Sequence, residues 1–179
     1  MRDAIKEVLI TEEQLQQRIN EIGSAISEAY KDKQLMLVSV LKGSVVFMAD
    51  LMRAITIPAR IDFMSVSSYG SGTKTSGVVK IIKDLDIDIS GYDMLIVEDI
   101  LDSGMTLSYL CEMLQNRGAK SIGIVTLLDK PERHRVEIIP DYVGFTVPDE
   151  FVVGYGLDYD EKYRNLPFVG ILKPEIYSD

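Results

Sequence analysis

A short segment near the middle of the chain combines a buried strand, three acids and the start of a helix. The apolar run MLIV is followed by Glu98 and Asp99, and a third acid, Asp102, then opens a Ser-Gly-x-Thr turn. Apolar residues at helical spacing follow this turn, so the sequence predicts a helix from about Thr106. In α/β proteins such a helix start binds anions, because its first backbone N–H groups lack partners and carry partial positive charge. The segment therefore predicts an α/β fold with an anion site at the end of a central strand.

The three acids of this segment need a partner other than the anion. Carboxylates repel phosphate, so they must face sugar hydroxyls, a magnesium ion or a proton that has to be moved. A helix start that binds phosphate beside such acids indicates a phosphorylated sugar. An acid pair at a strand end is more often a solvated turn, and the Ser-Gly-x-Thr turn after it is what favours a ligand site here.

Composition limits the chain to one soluble globular domain. The 179 residues are 46% hydrophobic and 26% charged, which suffices for one well-buried core. The net charge of −9 argues against general binding to nucleic acid or to anionic membranes. No apolar run approaches a membrane-spanning length, the N-terminus lacks the apolar core of a signal peptide, and the single cysteine, Cys111, suits a reducing interior. We therefore expect a single domain over residues 1–179 and a cytoplasmic location.

Helices and strands alternate along most of the chain. Strands are predicted at Leu35 to Leu41, Arg60 to Ser67, Val78 to Lys83, Met94 to Val97 and Ile122 to Leu128, and helices over Glu12 to Tyr30, around Met48 to Ile55 and from about Thr106 to Gly118. This repeated pattern favours a twisted, mainly parallel, Rossmann-like sheet flanked by helices. The final segment has short β-like pieces, Gly, Pro and aromatics. We expect a core over about residues 10–130 and a small hood, formed by residues 131–179 with the N-terminus, over the active site.

Ligands of open parallel sheets bind beyond the C-terminal ends of the strands, and four predicted turns fall at that edge. They are Lys42-Gly43, Ser68-Tyr69-Gly70, the segment 98–106, and Asp129-Lys130. One turn holds three carboxylates, two carry a lysine, and one opens a long polar loop. The arrangement suits a sugar with several phosphates, a metal ion and a lid.

These motifs resemble the type I phosphoribosyltransferases. VEDILDSGMTL is similar to that family's signature for phosphoribosyl pyrophosphate, LKGSVVFMADL to its pyrophosphate loop and SSYGSGTKTSG to its flexible lid. LLDKP and the stretch from Asp141 to Pro167 resemble the purine-recognition end of its hypoxanthine-guanine branch. The resemblance covers most of the chain from Leu37 to Gly170. It implies an Mg²⁺-dependent transfer of the 5-phosphoribosyl group from phosphoribosyl pyrophosphate to hypoxanthine or guanine, with release of pyrophosphate, as in purine salvage.

The resemblance also implies a role for each site residue. The ribose and its 5-phosphate would contact Glu98, Asp99, Asp102, Ser103, Gly104, Met105 and Thr106, with Asp102 as the catalytic acid or base at the purine N7. Pyrophosphate would contact Lys42, Gly43, Ser68, Tyr69 and Arg164, and the purine would contact Lys130, Phe151, Val152 and Asp158. Glu98, Asp99 and Asp158 would carry Mg²⁺, and the Leu41–Lys42 peptide would be cis. The family further suggests a homodimer or homotetramer.

Single residues of this set have ordinary structural alternatives. Lys42 and Lys130 taken alone would more often be surface charges, and Phe151 would more often be packing than a stacking platform. Arg164 could merely pair with Asp160 or Glu161. The only histidine, His134, lies between arginines and is predicted to be exposed, while Cys111 is predicted to be a buried small hydrophobe.

Other function classes fit the sequence less well. A regulator of the same fold that senses phosphoribosyl pyrophosphate would suit a basic chain with an added DNA-binding segment, and this chain is acidic. A dinucleotide-binding enzyme lacks support because the first strand is not followed by Gly-x-Gly-x-x-Gly. A related enzyme that prefers xanthine remains open. A lysine facing the purine O6 favours oxopurines over adenine, whose amino group offers no comparable acceptor.

Overall fold

Six strands form one sheet at the centre of the molecule. A computed structural model describes residues 1–68 and 79–178. Its strands are β1 (Ile5–Ile10), β2 (Leu35–Val40), β3 (Ala59–Ser68), β4 (Val79–Lys83), β5 (Asp93–Leu101), β6 (Ser121–Asp129), β7 (Tyr142–Thr146), β8 (Val152–Val153) and β9 (Val169–Leu172), and its helices are α1 (Glu12–Ala29), α2 (Val45–Ala54), α3 (Met105–Asn116) and the short α4 (Pro174–Tyr177). The central sheet has the order β4-β3-β2-β5-β6-β7. The predicted α/β class with a mainly parallel sheet is confirmed.

One edge of this sheet departs from the parallel arrangement. The pairings β3·β2, β2·β5, β5·β6 and β6·β7 are parallel, whereas β4 runs antiparallel to β3. The physical reason is length, because segment 69–78 between them is shorter than the dozen or so residues that a parallel crossover needs. Of the predicted lid, Tyr69 lies outside the described residues, and only the backbone of Ser68, at the end of β3, is described.

Helices cover both faces of the sheet. All six residues of β2 are buried, and their alternation places Leu37 in a core with α1 and α2 and places Val38 in a second core with α3. A capping box begins α1, since the Gln14 N–H donates to Thr11 Oγ1 at 3.2 Å and the Thr11 N–H donates to Gln14 Oε1 at 2.8 Å. Cys111 packs against the second core but is only partly buried there, and this burial raises the pKa of its thiol to about 11.

The hood is a three-stranded antiparallel sheet made from both ends of the chain. Its order is β1-β9-β8, so the N-terminal strand pairs with a strand close to the C-terminus. The predicted boundary of the core near residue 130 is wrong, because β7 belongs to the central sheet, parallel to β6. Asp141 fixes this strand: its carboxylate accepts the Ile124 N–H at 2.8 Å, and its own N–H donates to the Ile124 carbonyl at 2.9 Å.

No helix within residues 1–68 and 79–178 combines the length and the apolar character that a bilayer crossing requires.

Candidate active site

The C-terminal ends of three neighbouring strands, β2, β5 and β6, bring the predicted turns together. Because β2, β5 and β6 are parallel neighbours, the segments after Val40, Leu101 and Asp129 emerge at the same edge of the sheet. The Lys130 N–H donates to the Leu101 carbonyl at 3.0 Å, which holds the last of these turns against the central one. A cavity of about 280 Å³ opens here, and its walls include Val40, Glu98, Asp102, Ser103, Gly104 and Thr106. Most of the residues expected to bind the phosphoribosyl group thus line one cavity.

The turn before α3 has the geometry of an anion site. Gly104 is the N-cap residue with φ of 77°, a left-handed conformation that suits glycine, and a Cβ there would approach Ile138 Cγ2 to 2.7 Å. The helix begins at Met105, one residue before the predicted start, and no acid occupies its first turn. Ser103 Oγ lies 3.4 Å from the Met105 nitrogen. The positive end of α3 and two hydroxyl side chains, Ser103 and Thr106, therefore serve the same cavity.

Glu98 and Asp99 form a partly buried acid pair at the end of β5. Burial raises the pKa of Glu98 well above its usual range, and the neighbouring Asp99 charge adds to this. Burial likewise raises the pKa of Asp99, although the Ile100 N–H donates to its Oδ1 at 2.7 Å. Such a pair favours a cation as ligand, because a positive charge would offset both the desolvation and the mutual repulsion of the carboxylates.

The acids expected to hold metal do not form one cluster. Across the described ranges, no three Asp, Glu, His or Cys side chains converge in a way that could hold a metal ion on their own. Asp158 lies in the hood, where its Oδ1 pairs with Arg164 at 3.0 Å. The pair of Glu98 and Asp99 still fits Mg²⁺, a hard cation that typically takes one or two protein carboxylates and completes its shell with water and phosphate oxygens.

The loop after β2 is enclosed between the acid pair and the hood. The Leu41–Lys42 peptide is cis, as the resemblance implied. A Cβ on Gly43 would overlap the carboxylate of Asp99, and a Cβ on Gly156 of the hood would overlap the Gly43 carbonyl. A side chain at position 43 would therefore force Asp99 to shift, and the loop that carries Lys42 packs closely against both neighbours.

Arg164 has several partners in the hood. Its guanidinium donates to the Gly156 carbonyl at 2.8 Å and pairs with Asp158 at 3.0 Å and Glu161 at 3.1 Å. Of the two pairings that the sequence left open, the one with Glu161 is present, while Asp160 pairs with Lys162 at 2.8 Å. The Nε atom of Arg164 is buried and has no hydrogen-bond partner among the residues that the structure describes. It is a donor that an anionic ligand could use.

A chain of alternating charges joins Asp102 to Lys130. The Asp102 carboxylate accepts from Arg133 Nε, and another nitrogen of Arg133 reaches Asp149 Oδ1 at 3.3 Å. Lys130 Nζ lies 3.8 Å from the same Asp149 oxygen and donates to the Glu150 carbonyl at 2.7 Å. The Lys130 side chain is only 10% exposed, so the alternative of a surface lysine does not hold.

Sequence reasoning missed Arg133 and misjudged its neighbour His134. Arg133 follows Lys130 in the same turn after β6, and this closeness to a predicted site residue could have marked Arg133 as part of the site. His134 was predicted to be exposed, which is wrong, because its side chain is 19% exposed and Nε2 lies 2.7 Å from Asp129 Oδ1. The turn holds it inward because Asp129, at the end of β6, offers a carboxylate oxygen.

Phe151 belongs to a small aromatic cluster in the hood. Its ring stacks on Tyr177 with centroids 4.8 Å apart and planes 24° apart, and Tyr159 meets it edge-on at 5.6 Å. Phe151 is 38% exposed, whereas the following Val152 is buried in β8. The contact from Tyr177 was not predicted, because nothing in the local sequence connects α4 with residue 151.

Comparisons with known proteins agree on one family. The family described as "Phosphoribosyl transferase domain" matches residues 9–160. The chain is 55% identical over 178 residues to the hypoxanthine-guanine phosphoribosyltransferase of Bacillus subtilis, covering 99% of each chain. It is 56% identical over 179 residues to the bifunctional protein TilS/HprT of Listeria monocytogenes, but spans 28% of that protein's length. A crystal structure of a hypoxanthine phosphoribosyltransferase from Staphylococcus aureus superposes with a TM-score of 0.98 at 53% identity, covering 100% of this chain and 97% of the other.

Proposed function

The chain belongs to the phosphoribosyl transferase family, and on that premise we propose that it transfers the 5-phosphoribosyl group from phosphoribosyl pyrophosphate to hypoxanthine and guanine. The products are IMP or GMP and pyrophosphate, a purine salvage reaction. The observation that carries the proposal is the cavity after β5, where a helix start suited to phosphate lies beside partly buried acids and close to the turn of Lys130. The proposal agrees with the name of the B. subtilis relative, a hypoxanthine-guanine phosphoribosyltransferase that this chain matches over nearly its whole length.

The 5-phosphate would bind in the turn from Asp102 to Thr106. Backbone N–H groups at the start of α3 and the hydroxyls of Ser103 and Thr106 would donate to its oxygens. The left-handed Gly104 lets the main chain approach the phosphate closely. Met105 contributes its N–H and not its side chain, so an apolar residue is acceptable there.

The acid pair would bind the ribose hydroxyls and a magnesium ion. Glu98 and Asp99 are the residues that would hold Mg²⁺ beside the sugar, and Asp158 would hold a second ion near the hood. The metal supplies charge neutralisation for the leaving pyrophosphate. The raised pKa values of Glu98 and Asp99 mean that cation binding also favours their ionised forms.

Pyrophosphate would leave between Lys42, the Gly43 N–H and Arg164. Positive charge develops on the sugar carbon as the bond to pyrophosphate breaks, and negative charge concentrates on the departing oxygens. Preorganised donors at that position usually provide more of the rate enhancement than proton transfer does. The predicted lid with Ser68 and Tyr69 would exclude water from the sugar cation.

The purine would lie between the hood and the end of β5. Lys130 would donate to O6, Phe151 would stack on the ring, and the Val152 backbone would meet the remaining edge. Asp102 would exchange the N7 proton as N9 bonds to the sugar, a contribution of about a hundredfold or more. A buried ammonium favours an oxygen at C6, which is the reason for expecting oxopurines over adenine.

A panel of bases tests this proposal directly. The protein is incubated with phosphoribosyl pyrophosphate, Mg²⁺ and hypoxanthine, guanine, xanthine, adenine or uracil in turn, and nucleotide formation is followed by chromatography. We expect products with hypoxanthine and guanine only. If xanthine were the preferred base, the chain would be a xanthine-preferring member of the family instead. If no base gave a product, the result would contradict an enzymatic function and favour a sensor of phosphoribosyl pyrophosphate. We further propose a cytoplasmic enzyme that assembles as a homodimer or homotetramer.

A further inference from the structure

Glu161 lies between the two cations that are expected to bind pyrophosphate. Its Oε2 is 2.9 Å from Lys42 Nζ, and its Oε1 is 3.1 Å from a terminal nitrogen of Arg164. Each carboxylate oxygen therefore pairs with one cation. Lys42 comes from the loop after β2 and Arg164 from the hood, so this one side chain joins two separate parts of the site.

The backbone at Glu161 adopts a conformation that glutamate rarely takes. Tyr159 and Lys162 exchange backbone hydrogen bonds of 3.2 and 3.0 Å around a two-residue turn. Both central residues of that turn have positive φ, 51° at Asp160 and 57° at Glu161. Such turns normally use Asn and Gly, because L side chains are strained in this region. An acidic side chain at this point is thus not explained by turn formation.

A further contact holds the backbone at Glu161. The Glu161 N–H donates to Asp158 Oδ2 at 3.0 Å, while Asp158 Oδ1 pairs with Arg164 at 3.0 Å. Asp158 therefore contacts both the backbone of the acid and the side chain of its arginine partner. The neighbouring cations hold the pKa of Glu161 below its usual range, so the carboxylate is ionised at neutral pH.

We propose that Glu161 is an internal anion that occupies the pyrophosphate position in the empty site and competes with pyrophosphate for Lys42 and Arg164. The inference rests on the proposed function and adds a residue that weakens product binding. Pyrophosphate carries several negative charges and displaces the single carboxylate. When pyrophosphate leaves, Glu161 returns, so Lys42 regains its acidic partner and Arg164 regains its second one beside Asp158, and release becomes easier.

The exposure of the Glu161 and Lys42 side chains sets the expected change in pyrophosphate affinity. Glu161 is 64% exposed and Lys42 is 66% exposed, so each pair is screened by water and is weak. Loss of the carboxylate should therefore tighten pyrophosphate binding by roughly three- to tenfold, and not by orders of magnitude.

The test compares Glu161→Gln with a matched control in the same turn. Asp160→Asn removes an adjacent acid that also has positive φ but pairs only with Lys162 among the described residues. The dissociation constant of inorganic pyrophosphate in the presence of Mg²⁺ is measured by calorimetry, and its inhibition constant in the forward reaction is measured by kinetics. We expect Glu161→Gln to lower both constants roughly three- to tenfold and Asp160→Asn to leave both within about twofold.

The possible outcomes separate the inference from the function. Unchanged or weaker binding in Glu161→Gln, or equal tightening in both variants, overturns the inference while the function stands. A wild-type protein that neither binds pyrophosphate nor is inhibited by it overturns the proposed function and the inference together. Should Glu161→Gln fail to fold in a thermal melt, Glu161→Asp serves instead, because the shorter acid keeps its charge but cannot reach both cations. It should give a smaller tightening, and no tightening overturns the inference.

Discussion

The guanidinium of Arg133 donates to the carboxylate of Asp102, the group that would meet the purine N7. A purine at this position would therefore share the carboxylate with Arg133, which contacts only its Oδ1. We expect Asp102→Asn to keep binding of phosphoribosyl pyrophosphate nearly unchanged, because the turn after it and not its carboxylate holds the phosphate. Turnover should fall at least about tenfold, since an amide cannot exchange the N7 proton. Binding is followed by calorimetry and turnover by nucleotide formation.

Arg133→Gln is the control for that change. It opens the same ion pair but leaves the carboxylate in place. Because an exposed pair contributes about 1 kcal/mol or less, turnover should stay within about fivefold of wild type. If Asp102→Asn turns over as fast as the wild type, the assignment of Asp102 is wrong. If both variants are equally slow, the ion pair and not the carboxylate is what matters.

Replacing Gly43 tests the close packing at the centre of the site. In Gly43→Ala the new methyl group would overlap the Asp99 carboxylate, so the acid pair must shift. A displacement of about 1 Å in such a site can reduce the rate by about a hundredfold, and we expect a loss of that order. Gly118→Ala is the control, because its left-handed φ of 91° costs stability while its nearest neighbour is Ser90, far from the site. Thermal melting and turnover are measured for both; a Gly43→Ala enzyme with normal turnover would falsify this account of the packing.

The stacking of Tyr177 on Phe151 predicts a selective effect on the base. An aromatic pair contributes about 0.5–1.5 kcal/mol beyond buried area, so Tyr177→Ala should raise the KM for hypoxanthine about two- to tenfold. Tyr177→Phe keeps the ring and should behave as wild type. The KM for phosphoribosyl pyrophosphate should not change in either variant. Equal increases in both KM values would mean that Tyr177 supports the hood in general and not the purine platform.

Tyr30 predicts how stability changes at alkaline pH. Burial, with smaller effects from Tyr142 and Asp141, raises the pKa of Tyr30 from an ordinary value of 10 to about 12. Between these values the unfolded chain ionises at this residue and the folded chain does not. The contribution of Tyr30 is therefore fully present below pH 10 and is lost as the pH rises toward 12. Urea unfolding of Tyr30→Phe should show a shallower loss of stability over this interval than the wild type, and parallel losses would contradict the assignment.

The sequence predicted those parts of the site that depend on local pattern. The strand, acid pair, turn and helix from Asp93 to Asn116 are contiguous, and each of these elements has its own local sequence signal. The predicted start of α3 was therefore only one residue from the observed one. The contact of Arg133 with Asp102 and that of Glu161 with Lys42 had no such signal. They depend on which surfaces meet in three dimensions, and spacing along the chain does not encode that. Glu161 also takes a backbone conformation that propensity argues against, so local reasoning points away from it.

The prediction of the boundary between core and hood was wrong for a related reason. Tyr142–Thr146 is short, like the hood strands that follow, and it lies in the same stretch of short β-like pieces, so its length and position do not separate it from them. Its place beside β6 is decided by Asp141 and by the free edge that β6 would otherwise expose.

The pairing of β1 with β9 places both ends of the chain in the sheet of the hood. These strands are separated by nearly the full length of the polypeptide, and both belong to the small sheet that presents Phe151 and Val152. Trimming either terminus would then remove a hydrogen-bonded neighbour from that sheet and disturb the surface that presents Phe151. Because Ile10 and Val169 also pack in the core with α1 and α2, the cut would reach the body of the protein as well.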